Sequence, residues 1–107
     1  MNNKSKKKYD LIEIFEKKVE TYPNKIAIIF SNNQKITYSE LNGKANQLAN
    51  VLISNKLSHG DVLCISGEKN INTYATMLAC LKIGIIYSIY DPKSPFEDLK
   101  KIFEKCR

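Results

Sequence analysis

Residues 62–90 read VLCISGEKNINTYATMLACLKIGIIYSIY, and the order of patterns inside that stretch decides the fold. Val62–Ser66 is a short apolar run of strand length, read as a buried strand. Asn70 suits the start of a helix, because its side-chain oxygen accepts an N–H that the first turn leaves unpaired. The spacing then predicts a helix over Ile71–Ile83. Gly84 ends it at the position where the chain turns left-handed. Ile85–Tyr90 is a second apolar strand. Strand, helix and strand make a βαβ unit with parallel strands and a right-handed crossover, which places the chain in the α/β class. Parallel strands of this kind have both faces covered. From Thr73 to Ile83 the only charged residue is Lys82. A helix apolar on all sides is buried on several of them. A chain of 107 residues is expected to bury it incompletely, which implies a partner surface outside this chain.

On the N-terminal side, Ile36–Asn46 reads ITYSELNGKAN. Thr37, Ser39 and Glu40 look at first like a nucleophile with a nearby base. The spacing S/T-x-x-E is instead that of a capping box: the Thr hydroxyl accepts from a first-turn N–H, and the Glu carboxylate reaches back to the Thr N–H. Leu41, Ala45, Leu48 and Leu52 form the apolar stripe of the helix that follows, which is expected to run to about Asn55. Ser58–Asp61 turns the chain, with Gly60 at a left-handed position. Further upstream, the runs KIAIIF and KIT flank the turn residues SNNQ and predict a β-hairpin with a flanking helix on either side. The first helix is expected from Asp10, paired with Glu13 as a cap, through Leu11, Ile12, Phe15, Val19 and Tyr22, and Pro23 stops it. On the C-terminal side, DPKS is a loop. Ser94, Pro95 and Glu97 announce a last helix, whose apolar face is Phe96, Leu99, Ile102, Phe103 and Cys106. No repeat and no long linker divides the chain.

Composition narrows the function. With 43% hydrophobic and 26% charged residues, the chain is a folded protein rather than a disordered one. Its formal charge is +6, but Lys4, Lys6, Lys7 and Lys8 crowd the first eight residues, so residues 1–8 read as a disordered basic tail. The one arginine is Arg107, and basic residues are not interleaved with aromatics, so no nucleic-acid partner is expected. No apolar run is long enough to span a membrane, and no secretory signal is present. Cys64, Cys80 and Cys106 have no metal-pair spacing and lie away from His59. Cys64 and Cys80 sit among apolar residues, where a thiol behaves as a small hydrophobe. An odd count of cysteines points to a reducing, cytoplasmic setting. Gly43, Gly60, Gly67 and Gly84 stand singly, not as a phosphate loop, and there is no G-x-S-x-G elbow. His59 with Asp61 reads as a turn. Asp91, at a strand C-terminus where open sheets place ligands, reads with Pro92 as a loop opening. The expectation is therefore no catalytic, cofactor-binding or metal-ligating residue in this chain.

Two segments carry a resemblance. Ile36, Thr37, Tyr38, Glu40 and Leu41, followed by Asn42, Ala45, Asn46 and Leu48, match one motif. Leu81, Lys82, Gly84, Tyr87, Asp91 and Pro92 match a second. In this order they resemble the N-terminal end of adenylate-forming (AMP-binding) enzymes, in particular the amino-acid adenylation domains of nonribosomal peptide synthetases. The likeness covers about residues 9–106. Ile83, Ile85 and Ile86 stand where that family has small residues, and Ile89 and Tyr90 replace its Pro-Leu. The resemblance implies that residues 9–107 are the N-terminal portion of an adenylation domain. The complete enzyme would be a ligase that activates an amino acid with ATP and Mg2+ and passes it to a phosphopantetheine thiol on a carrier protein. The family's phosphate loop, its nucleotide motifs and its C-terminal lysine lie outside these residues, so the resemblance assigns this chain scaffold residues and no catalytic ones. Its expected partner is the remainder of the adenylation domain. An alternative is a non-catalytic interaction module that binds an acidic carrier protein or a synthetase through its basic tail, or a truncated copy without function.

Overall fold

Thr37 closes a strand and opens a helix, and the hairpin before it shows how. The computed structural model describes residues 7–89 and 95–105, with the side chains of residues 11–89 and 99–104. Strands β1 (Ile26–Ile29) and β2 (Lys35–Thr37) pair antiparallel, as the sequence predicts. Their turn is fixed by Phe30 and Gln34, whose backbones pair at 2.8 Å, and by Asn33 in the left-handed region at φ 69°, a conformation that Asn tolerates. The register slips between Ile26 and Ile28. Such a bulge breaks strict alternation, which is why the successive residues Ala27 and Ile28 are both buried while Ile26 and Ile29 are exposed.

Helix α1 spans Lys7–Thr21. It starts before Asp10, which lies inside the first turn rather than ahead of it; Lys7 and Lys8 join the helix, since lysine is a fair helix former with nothing here to stop it. The remainder of the expected basic tail lies outside the described residues. Leu11, Ile12 and Phe15 are buried as the spacing predicts. Helix α2 runs Tyr38–Ser54 and buries Tyr38, Leu41, Ala45 and Ala49. Its exit uses Lys56 at φ 68° and a Leu57 N–H to Leu52 O bond of 3.0 Å, a left-handed stop that the sequence does not announce with a glycine.

Strand β3 (Val62–Ile65), helix α3 (Ile71–Ile83) and strand β4 (Ile86–Ile89) form the expected βαβ unit, with β3 and β4 parallel. Asn70 caps α3 by accepting from the Thr73 N–H at 2.9 Å, and Gly84 ends it at φ 77°. Helix α4 starts at Pro95 and runs to Lys105, burying Leu99 and Phe103. Phe15 of α1, Tyr38 of α2 and Phe103 of α4 bring three fully buried rings within 5.2–6.3 Å of one another, centroid to centroid. The cap expected at Ser94, and the Asp91-Pro92 loop, lie outside the described residues.

Two expectations change. Helix α3 is covered by its own chain: α2, α1, α4 and β4 all pack on it, and Thr73 through Cys80 are buried except for Thr76. Its all-round apolar character reflects a central position in the core and does not by itself require an outside partner. Strand β3, expected to be buried, is covered on one face only. Val62 is 60% exposed and Cys64 is exposed, not packed among hydrophobes.

Candidate functional site

The residues that the sequence singles out fall at joints of the fold. At the first joint, the Thr37 hydroxyl accepts from the Glu40 N–H at 3.1 Å, and the Glu40 carboxylate accepts from the Thr37 N–H at 2.9 Å. Both reciprocal bonds of a capping box are present. The Ser39 N–H donates to Pro23 O at 2.9 Å, and the Tyr38 N–H donates to Lys25 O at 3.0 Å. These bonds tie the entry of α2 to the connection between α1 and β1. Thr37 and Glu40 are therefore engaged with backbone, and the arrangement holds a helix start instead of activating a hydroxyl.

The second joint lies between α3 and β4. The Lys82 Nζ is 3.2 Å from Glu16 Oε2 and 6.0 Å from the centre of the Phe15 ring, so it clamps α3 to α1. Gly84 lies against the His59 ring. The Gly60 N–H donates to Gly84 O at 3.1 Å, the Ile86 N–H donates to Asp61 O at 2.8 Å, and the Ser58 N–H donates to Asp61 Oδ2 at 2.8 Å. His59 and Asp61 are thus parts of one turn that braces the strand entries, as read from the sequence.

Among the described residues, two open depressions border the strands. One, of about 400 Å³, has an apolar floor that includes Ile28, Phe30, Tyr74 and Ile102, with Lys69 and Lys101 at its margin. Phe30 and Tyr74 stack there at 5.9 Å. The other lies at the C-terminal end of β3 beside Cys64, Ser66 and Asn70, where the Asn70 side chain already serves the cap of α3. Among the described residues no three His, Cys, Asp or Glu side chains converge to hold a metal ion, and no helix is long and apolar enough to cross a membrane. Glu68 is the one carboxylate among the residues that line these two depressions, so neither supplies a carboxylate pair for magnesium. The described residues do not supply the ligand set that Mg2+ requires.

The sequence does not single out the outer face of the parallel sheet. Val62 pairs with Ile86 and Cys64 with Ser88, and all four are exposed. The alternation is hidden because the inward neighbours Leu63, Ile65, Tyr87 and Ile89 are apolar too.

The family model described as AMP-binding enzyme matches residues 15–107. Tyrocidine synthase 1 of Brevibacillus parabrevis is 34% identical over 92 residues, covering 86% of this chain and 8% of its own length. Gramicidin S synthase 1 of Brevibacillus brevis is 38% identical over 92 residues, with the same coverages of 86% and 8%. The structure of the Klebsiella oxytoca NpsA N-terminal subdomain superposes with a TM-score of 0.69 at 33% identity, over 87% of this chain and 24% of that one. The chain therefore spans less than a tenth of these curated relatives and about a quarter of the solved subdomain.

Proposed function

The chain belongs to the AMP-binding enzyme family, and on that premise we propose that it is the N-terminal scaffold of an enzyme that activates an amino acid for nonribosomal peptide synthesis. Residues 9–107 supply the scaffold, and Lys7 and Lys8 of the basic N-terminal run begin its first helix. The observation that carries the reading is the fit of 87% of the chain onto 24% of an adenylation-type subdomain. The two matched motifs lie at the joints where that fold turns from strand to helix and from helix to strand. The complete enzyme forms an aminoacyl adenylate from ATP with Mg2+ and passes the acyl group to a carrier-protein thiol. In that enzyme, this segment fixes α1, α2 and α3 around the three-ring core and presents β3 and β4 to the rest of the domain. Cys64 and Cys80 form no disulfide, which suits a reducing cytoplasm.

The test is a chimera in which this chain replaces its matching stretch of tyrocidine synthase 1, assayed by amino-acid-dependent ATP–pyrophosphate exchange. The chain alone is expected to give none and the chimera to retain exchange. Robust exchange by the chain alone would refute the scaffold role, as would a folded chimera without activity.

A further inference from the structure

The larger depression is built from three elements far apart in the chain. Ile28 and Phe30 come from the hairpin, Lys69 and Tyr74 from the start of α3, and Lys101 and Ile102 from α4. Its floor is firmly held. The rings of Phe30 and Tyr74 stack with centroids 5.9 Å apart, and Ile28, Phe30 and Tyr74 are all buried. The Phe30 N–H donates to Gln34 O at 2.8 Å, which fixes the hairpin side, and the Tyr74 N–H donates to Asn70 O at 3.3 Å, which fixes the helix side. The two charged residues that line the depression are both lysines, and no carboxylate lines it. Among the described side chains, the carboxylates nearest to them in sequence are engaged elsewhere. Glu68 accepts from Asn70 Nδ2 at 3.4 Å and lines the other depression. Glu104 pairs with Lys100 at 3.9 Å. A preformed concave apolar floor with a few polar groups at its edge is the makeup of a small-molecule site.

We propose that this depression binds a small amphiphilic anion, a short hydrocarbon body ending in a single carboxylate. The body lies on Ile28, Phe30, Tyr74 and Ile102, and the head lies beside Lys69 and Lys101. Three observations select this ligand. The volume of about 400 Å³ falls within the roughly 300–1,000 Å³ of small-ligand pockets and leaves no room for a folded partner. Two lysines and no carboxylate at the lining select a negative head over a neutral or positive one. The apolar floor selects a hydrocarbon body over a bare inorganic anion, because covering it removes apolar surface from water. The inference does not depend on the scaffold reading above.

The test is a methyl NMR titration of the full chain, labelled at isoleucine methyl groups, with sodium octanoate. The Ile28 and Ile102 resonances are expected to shift together and saturate with a Kd of about 1 mM or tighter. Those of Ile53 and Ile86, exposed on α2 and β4, are expected to stay in place. Octanamide, which keeps the body and loses the charge, should bind about fivefold more weakly. Lys69→Glu combined with Lys101→Glu, both at exposed positions, should weaken octanoate about tenfold and leave octanamide unchanged. Equal shifts at Ile53, Ile86 and Ile28 mean general adsorption to exposed hydrophobics and overturn the site. Octanamide binding as tightly as octanoate overturns the charged head. Binding to phosphatidylglycerol vesicles without any response to octanoate gives the depression to a membrane surface and also overturns the proposal. A chain without dispersed methyl resonances has no formed depression and overturns it as well.

Discussion

Thr37 belongs to two elements at once. It pairs with Ile26 in the hairpin and caps α2, so its replacement tests the strand-to-helix joint directly. Thr37→Ala should lower stability by about 0.5–2 kcal/mol, while Thr37→Ser, which keeps the acceptor, should recover most of the loss; thermal melts of the three proteins decide it. Lys82 is the other residue whose role is local and measurable. Its side chain is 14% exposed and that of its partner Glu16 56% exposed. The ion pair is therefore largely screened, and Glu16→Ala should cost at most about 1 kcal/mol. Lys82→Ala should cost more, because the side chain is largely buried and its ammonium also lies over the Phe15 ring. A denaturant titration in which Glu16→Ala is the costlier of the two would contradict this account. The capping box is legible in sequence because donor and acceptor lie three residues apart. The clamp is not, since Glu16 and Lys82 are 66 residues apart and only the fold brings them together.

Among the elements, α3 teaches the most. Its limits, its Asn70 cap and its glycine stop all follow from local sequence, and so does the parallel pairing of the strands on either side. Its surroundings do not follow. The apolar girdle of Tyr74, Met77, Leu78, Cys80 and Leu81 records that the helix is buried but not by what, and here α1, α2 and α4 of the same chain do the covering. Strand β3 shows the converse: a run in which inward and outward residues are both apolar gives no period to read, so its exposed face escapes sequence analysis. The joint after α3 offers a test that separates strain from crowding. Gly84 has φ 77°, and a Cβ there would meet the His59 ring. His59 is exposed and free to turn toward solvent, so backbone strain dominates. Gly84→Ala should cost about 1 kcal/mol, and adding His59→Ala should change that cost by less than about 0.5 kcal/mol. A much smaller cost in the His59→Ala background would show that the ring, not the backbone, sets the penalty.

At the scale of the whole molecule, the chain closes one core and leaves its outer surfaces unfinished. The rings of Phe15, Tyr38 and Phe103, α3 and the inner faces of both sheets form a continuous buried cluster. The large exposed hydrophobics are dispersed: Ile26 and Ile29 on the hairpin, Val51 and Ile53 on α2, Val62 and Ile86 on the parallel sheet. No single one of these pairs approaches the area of a stable interface, yet several separate sticky points on a small body favour weak contacts in many orientations. The free chain should therefore self-associate without a fixed stoichiometry. In sedimentation velocity the weight-average coefficient should climb steadily with concentration, with no plateau at a dimer. Replacing Ile29, Val62 and Ile86 together by lysine should flatten that rise. The melting temperature should fall little, because all three residues are already at least half exposed. A wild-type chain that sediments as a clean monomer at every concentration would show that the exposed hydrophobics are too scattered to matter, and that an unfinished surface is tolerated in solution.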